Sequence, residues 1–166
     1  MTNDKWKMEN GKWKMKSLLN SNDKRTVIER LRQVTPDSRR RWGKMSAHQM
    51  LCHLSDSFLA VMGEKEISPA TGPLQRTLVK WIALYAPLPW PKGVETRPEV
   101  DQEIGGTRPA EFDRDRQQLE KLIDRFSRRP RDFAWRPHPI FSLMSERDWM
   151  RWGYLHLDHH LRQFGA

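Results

Sequence analysis

The chain has 166 residues, a length that one hydrophobic core can serve, so we expect a single folded domain. Its formal net charge is +9, but the basic residues are scattered and no helix-turn-helix, zinc-finger or RNA-binding signature is present. We therefore expect no nucleic-acid partner. Cys52 is the only cysteine, which excludes an intrachain disulfide and indicates a reducing, cytoplasmic location.

The first fifteen residues contain a repeat with a seven-residue period, Lys5–Met8 and Lys12–Met15. Two heptads are too few for a coiled coil. We predict a disordered tail over residues 1–15, of the kind that an over-early start codon would add, with residues 16–166 as the folded domain. A basic and aromatic tail that lies on a membrane surface is the alternative.

Apolar residues at helical spacing predict five helices that are separated by proline. We expect helices over residues 22–34, 46–64 and 74–86, one after Pro109, and a last helix from Ser145. Ser46 with Gln49, and Ser145 with Asp148, match the capping-box pattern of a helix start. No segment alternates with period two over a sustained length, so we expect no strands. The predicted fold is all-α, an antiparallel helical bundle.

The third predicted helix, Leu74–Ala86, is nearly all apolar around Trp81–Leu84. It is shorter than the ~20 residues that a membrane span needs, so we expect no membrane insertion. Either a buried helix or a subunit contact explains this composition. The second explanation predicts a homodimer.

Three of the six histidines, His156, His159 and His160, lie in the last predicted helix. Residues at i and i+4 share one face of a helix, so His156 and His160 point the same way. Two imidazoles at this spacing make half of a metal site. His53 adjoins the apolar stripe of the helix over residues 46–64 and is the candidate third ligand. Taken alone, His53 is better explained as a hydrogen-bonded core residue, and His159 is the rival to His160.

Three other side chains lie close to His53 in the sequence. Asp56, one turn away, is either a further metal ligand or a carboxylate that orients a histidine N–H. Cys52 points about 100° away from His53 on a helix, so we predict a buried thiol rather than a ligand. His48 lies in the first turn and is expected to be solvated.

The stretch between Ala86 and Pro109 is rich in proline and has few periodic residues. Loops beyond about 12–15 residues often act as lids or binding loops. Lys92 and Arg97 could grasp an anionic group, with Gly105–Gly106 as a hinge. The alternative is a rigid surface loop that only connects two helices.

These features resemble a known family. A helix with Leu51-Cys-His53-Leu54, together with a final helix in which His156 and His160 are followed by Gln163, is similar to the DinB-like metal-binding four-helix bundles. The uncharacterised DUF1569 branch is the closer resemblance, which extends from Ser17 to the C-terminus. The segments that carry it are His138–Phe141, the Trp149 helix, Leu157–Gly165, Trp90–Gly93, Thr96–Gln102 and Gly105–Pro109. Ser142 stands where this branch would have glycine.

The resemblance implies an antiparallel four-helix bundle of the DinB/YfiT-like type, with a long Pro/Gly-rich loop and one extra short helix. It implies three metal ligands, His53, His156 and His160. Other site candidates are alternative ligands or hydrogen-bond partners of the ligands (His159, Asp56 and Gln163) and substrate-loop residues (Lys92, Arg97 and His138). Imidazole suits zinc, nickel, iron and copper. We expect zinc or nickel, with iron or manganese as alternatives.

Three neutral imidazoles leave at least one coordination position open, as in catalytic zinc sites. A metal held in this way lowers the pKa of a bound water or thiol. Some members of the wider superfamily use a low-molecular-weight thiol, so the resemblance implies a hydrolase or a thiol transferase that acts on a small molecule. The alternatives are a metal-binding protein without turnover and a structural metal. The sequence identifies no catalytic residue.

Overall fold

The computed structural model of the chain describes residues 5–9, 12–70 and 72–166. It is mostly helical, with one small antiparallel sheet of two strands, so the predicted helical class is confirmed. The elements in chain order are β1 (Trp6–Glu9), β2 (Lys12–Met15), α1 (Ser21–Gln33), α2 (Ala47–Val61), a π-helical stretch (Gln75–Val79) that continues into α3 (Lys80–Tyr85), a 3₁₀ turn (Pro98–Val100), α4 (Phe112–Ser127) and α5 (Glu146–Gln163).

The predicted starts of α2 and α5 are confirmed, because each helix begins with a complete capping box. The hydroxyl of Ser46 accepts from the backbone N–H of Gln49, whose side chain accepts from the N–H of Ser46. Ser145 and Asp148 form the same reciprocal pair at α5. These bonds satisfy backbone donors that a helix start leaves unpaired. Local sequence therefore determines where the two histidine-bearing helices begin.

One hydrophobic core lies between α1, α2, α4 and α5. Helix α2 packs against α4 and α5, and α1 packs against the same two helices, so the contacts close a ring. Each helix buries at least one large apolar side chain completely. Among these side chains are Leu31, Phe58, Leu119, Phe126 and Trp149. Burial of one such side chain contributes about 1.5–3 kcal/mol, and the ring sets α2 beside α5.

The π-helical stretch and α3 lie mostly outside this core. Leu74, Leu78 and Trp81 are more than half exposed, whereas Leu84 is fully buried. The expectation of a buried helix is wrong for the single chain, because most of the large apolar side chains of this segment are exposed. The subunit contact stays a prediction. Within the described residues, no helix combines the length and apolarity that crossing a bilayer requires.

The N-terminal residues form two strands, which the sequence analysis did not expect. Strand β1 pairs with β2, so that Trp6 lies opposite Met15 and Lys7 opposite Lys14. The prediction of a disordered tail overlooked the Asn-Gly pair between the repeats, a dipeptide typical of two-residue hairpin turns. Residues 1–4, 10 and 11 of the predicted tail lie outside the described residues.

A buried guanidinium attaches this hairpin to the helices. Arg151 of α5 is 1% exposed, and its Nη1 donates to the carbonyl oxygens of Lys5 at 3.2 Å and Lys16 at 3.0 Å. Its Nε donates to the carbonyl oxygen of Leu84. The ammonium group of Lys5 in turn donates to the carbonyl oxygen of Ala83 at 2.8 Å. Burial, and then the charge of Arg151, lower the pKa of Lys5 to about 8.

We expect removal of residues 1–14 to destabilise the protein, because Arg151 then loses the Lys5 carbonyl as an acceptor. A buried donor left without its partner costs about 1–3 kcal/mol. The free energy of unfolding in urea should fall by about this amount in a chain that starts at Met15. Removal of residues 1–4 alone is the control and should have little effect. Equal stability of both shortened chains would contradict this packing.

The loop between α3 and α4 contains a tight turn where the sequence suggested a hinge. The carbonyl oxygen of Asp101 accepts from the N–H groups of Ile104, Gly105 and Gly106, at 3.0, 3.1 and 2.7 Å. A β-carbon on Gly106 would lie 2.7 Å from the carbonyl carbon of Asp101. Glycine is required here because the backbone folds directly onto itself.

Candidate metal centre

Helices α2 and α5 bring three histidines together. His53 projects from α2, and His156 and His160 project from successive turns of α5. One ring nitrogen of each lies within 4.8 Å of the other two. Nε2 of His53 is 3.3 Å from Nε2 of His156. Two nitrogen ligands on tetrahedral zinc, with bonds of 2.0–2.1 Å, are about 3.3–3.4 Å apart, so this pair already has the spacing of a ligand pair.

Hydrogen bonds to the outer ring nitrogens direct two lone pairs toward this centre. Nδ1 of His53 lies 2.8 Å from the carbonyl oxygen of Val100, which can only accept, so this Nδ1 carries the proton. Nδ1 of His160 lies 2.9 Å from Oε1 of Gln163. The amide of Gln163 is oriented by its Nε2, which donates to the carbonyl oxygen of Trp42 at 2.8 Å. Nε2 of both rings is therefore an unprotonated acceptor.

His156 completes the group. Its Nδ1 is buried and has no hydrogen-bond partner among the described residues. With the proton on Nδ1, a third lone pair would face those of His53 and His160. A cation between the rings removes the repulsion among such lone pairs. The donor set therefore fits a divalent transition metal, for which neutral imidazole is a common ligand.

All three histidines are neutral at pH 7. Burial lowers the pKa of His53, and it lowers the pKa values of His156 and His160 far more. The neighbouring histidines add to the effect at His156 and His160. Metals bind the unprotonated ring, so burial removes the proton that would compete with a metal at neutral pH.

Two of the predicted alternative ligands lie next to the group but outside it. The ring of His159 lies 5.9 Å from the ring of Trp42, and burial lowers its pKa to about 4. Gln163 is the hydrogen-bond partner of His160. The three clustered ring nitrogens belong to His53, His156 and His160, as the i, i+4 spacing and the resemblance indicate.

Asp56 has a different role from either one predicted for it. Its Oδ2 accepts from the backbone N–H of Thr107 at 2.7 Å and from Nε2 of Gln102 at 3.2 Å. Its Oδ1 accepts from the hydroxyl of Thr107 at 2.7 Å and lies 3.3 Å from Nζ of Lys65. With both oxygens occupied in this way, Asp56 fastens the loop before α4 instead of serving as a ligand or orienting a histidine N–H.

The predicted loop residues separate in the structure. Nζ of Lys92 lies 4.5 Å from the ring centroid of Trp42, and Trp42 in turn neighbours His159. Arg97 donates to the hydroxyl of Ser68, so its side chain lies against the segment that follows α2. Of the two predicted loop cations, Lys92 is therefore the one with an aromatic link, through Trp42, to the histidines.

His138 shapes a turn. Its Nδ1 accepts from the N–H groups of Ile140 and Phe141, both at 3.1 Å, and burial lowers its pKa to about 3. The turn closes through paired backbone bonds of 2.8 Å between His138 and Ser142. Ser142 has φ of 60°, which lies in the left-handed region. The resemblance implied glycine at this position. These contacts give His138 a structural role rather than the predicted place in a substrate loop.

Two tryptophans beside the histidines escaped the sequence analysis. The ring of Trp90 lies 6.0 Å from His156 and 5.9 Å from His159, and Trp42 contacts His159 from a different connection. Both lie in irregular segments, where no periodicity indicates which way a side chain points. Trp90 lies in a segment that carries the family resemblance, and this was the sequence signal that could have identified it.

The fold and the site together define a mostly helical protein with a three-histidine group whose donors fit a divalent metal. A family of proteins of unknown function, DUF1569, matches residues 13–166, and the chain belongs to this family. The predicted DUF1569 membership is thereby confirmed. Comparisons with curated proteins and with solved structures find no match.

We expect His53→Ala, His156→Ala and His160→Ala each to lose one equivalent of zinc, because each removes a converging nitrogen from a group of three. The measurement is elemental analysis of protein that was loaded with zinc and then freed of excess metal. His159→Ala is the matched control from the same helix and should retain its zinc. Unchanged stoichiometry in all three variants would exclude this site.

The metal-free protein should lose stability as the pH falls below about 6.5, the unfolded value for histidine. Burial lowers the folded pKa of His138 to about 3 and that of His159 to about 4, so the unfolded chain binds more protons across this interval. Each such histidine contributes a loss of up to about 1.4 kcal/mol per pH unit.

Urea unfolding at several pH values between 7.5 and 4.5 measures this loss. His159→Ala removes one of the titrating groups, so its free energy of unfolding should depend less steeply on pH than that of the wild type. A wild-type stability that does not change over this range would show that burial does not lower the pKa values of these histidines in the folded protein.

Proposed function

We propose that this chain is a DinB-like four-helix bundle that binds a divalent transition metal, zinc or nickel, through His53, His156 and His160. The convergence of three ring nitrogens carries the proposal, because the hydrogen bonds to the Val100 carbonyl and to Gln163 leave the Nε2 lone pairs of His53 and His160 available to one cation. The ring of contacts among α1, α2, α4 and α5 supports the bundle architecture.

Three protein ligands leave at least one coordination position open to a substrate, whereas structural zinc sites usually have four protein ligands. When bound, the metal would lower the pKa of a water or a small thiol and so supply the nucleophile of a hydrolase or thiol transferase. Because the three ligands are neutral, they leave the charge of the cation uncompensated. An anion is therefore the favoured fourth ligand.

Residues around the histidines shape the surroundings of the reaction. The Val100 carbonyl and Gln163 hold two of the rings in place, which keeps the donor geometry fixed. Trp90 neighbours His156 and His159 on one side. Lys92 lies over the ring of Trp42, which neighbours His159, so its charge favours a small substrate with an anionic group.

A structural metal is the second candidate function. His53 is 5% exposed and His160 is 8% exposed, so a metal at this depth would link α2 to α5 in the core. The two functions differ in whether a small molecule reaches the fourth coordination position.

We also propose that the protein is a homodimer. Its support is the exposed apolar surface of Leu74, Leu78 and Trp81, on a helix that the core of its own chain leaves mostly uncovered. Exposed apolar patches of this kind are typical of association sites.

Titration of a cobalt-loaded Cys52→Ser variant with glutathione, cysteine and other small cellular thiols tests the catalytic proposal. Because this variant contains no cysteine, a sulfur-to-cobalt charge-transfer band can come only from the added thiol. We expect one thiol to produce such a band and to saturate at one molecule per chain. The same variant with His160→Ala is the control and should give none.

If neither thiols nor small anions such as azide change the cobalt spectrum, the metal is enclosed by protein. That outcome would contradict an open coordination position and leave the structural role. A response to azide but to no thiol would exclude the thiol-transferase reaction and retain the hydrolase.

A further inference from the structure

A second cluster of metal-binding side chains lies where α2 meets α4. His48 and Cys52 are at i and i+4 on α2, and Asp115 comes from the first turn of α4. Nε2 of His48, Sγ of Cys52 and a carboxylate oxygen of Asp115 lie within 4.8 Å of one another. Cys52 points about 100° away from His53 around the helix axis, so the two clusters use different faces of α2.

The carboxylate of Asp115 is the centre of this cluster. Its Oδ2 lies 2.7 Å from Nε2 of His48 and 3.7 Å from Sγ of Cys52. His48, which was expected to be solvated, is only partly exposed because of this contact. The three side chains thus meet although 63 residues separate Cys52 from Asp115.

We propose that His48, Cys52 and Asp115 bind a second divalent transition metal ion, of the type that accepts a thiolate ligand, such as zinc. Imidazole, thiolate and carboxylate are the three ligand types that proteins offer to zinc. A thiolate and a carboxylate together carry the charge that neutralises a divalent cation. The three-histidine group provides no such charge. In contrast to that group, this cluster favours a metal ion that prefers soft, anionic ligands.

The positions of the ligand atoms require only a small adjustment. With zinc bonds of about 2.3 Å to sulfur and about 2.1 Å to oxygen and nitrogen, ligand atoms are about 3.6 Å apart for S and O and about 3.4 Å for N and O. The Cys52–Asp115 distance of 3.7 Å already has this value. The His48–Asp115 distance of 2.7 Å is that of a hydrogen bond and would lengthen when a metal replaces the proton.

Access to the cluster is from one side. The side chains of His48 and Asp115 are 23% and 22% exposed, whereas Cys52 is buried beneath them at 3%. A metal ion could enter between the two partly exposed ligands and meet the sulfur below. Bound there, it would tie the start of α2 to the start of α4.

A cluster held only by hydrogen bonds is the competing explanation. Oδ2 of Asp115 also accepts from the backbone N–H of Ala110 at 3.0 Å, so this carboxylate is satisfied without a metal. The two explanations differ in the state of the sulfur. A metal-bound Cys52 is a thiolate bonded to the metal, whereas the hydrogen-bonded Cys52 remains a thiol.

Cobalt titration of the metal-free full-length chain distinguishes them. Cys52 is the only cysteine, so a sulfur-to-cobalt charge-transfer band reports this cluster alone. We expect the wild type to develop this band, with one sulfur-bound cobalt per chain once both proposed sites are filled. Cys52→Ser should lose the band. Asp115→Asn should keep the thiol but bind cobalt more weakly, by more than the roughly 10–100-fold loss that removing a hydrogen-bond partner of a ligand can cause.

His53→Ala separates this proposal from the three-histidine site. It should retain the sulfur band, because none of the three proposed ligands is changed. Folded wild-type protein that shows no sulfur band in excess cobalt would overturn the second site. A band of unchanged affinity in both Asp115→Asn and His48→Gln would also overturn it, because the sulfur would then bind without these ligands. The last two variants preserve the test if Cys52→Ser does not fold.

Discussion

The packing of α2 against α5 is the constraint on which the three-histidine group depends. Two of its ligands lie on one helix at a spacing of one turn, but their lone pairs have a common target only because His53 faces them from the neighbouring helix. The ring of contacts with α1 and α4 sets this distance. Since packed cores deform little, the spacing of 3.3 Å between the facing nitrogens is a property of the whole helical core.

The irregular segments contribute hydrogen bonds that the helices cannot provide for themselves. The 3₁₀ turn supplies the Val100 carbonyl to His53, and the connection before α2 supplies the Trp42 carbonyl that orients Gln163. Asp56 fastens the loop that contains this turn through Thr107. The long loop therefore helps to fix the tautomer of a core histidine, which is a more specific task than covering a site.

Helix α2 separates two sets of donors with different charge. One face presents a neutral imidazole to the two histidines of α5, and another presents His48 and Cys52 to a carboxylate of α4. The first set suits a cation that keeps an open coordination position, and the second suits a cation that binds a thiolate. Burial raises the pKa of Cys52 to about 12, with Asp115 adding to the effect, so its sulfur stays protonated when only hydrogen bonds surround it.

What the sequence by itself determined was local. Capping boxes located the starts of α2 and α5, and the i, i+4 spacing aligned His156 with His160, because these interactions span a few residues. Helical spacing also predicted α4, but the prediction of a disordered tail missed the hairpin. Only the tertiary structure decided which polar groups meet across the core and which apolar surface of α3 stays exposed. Periodicity indicates which face of a helix is buried, but the partner of that face lies in another part of the chain.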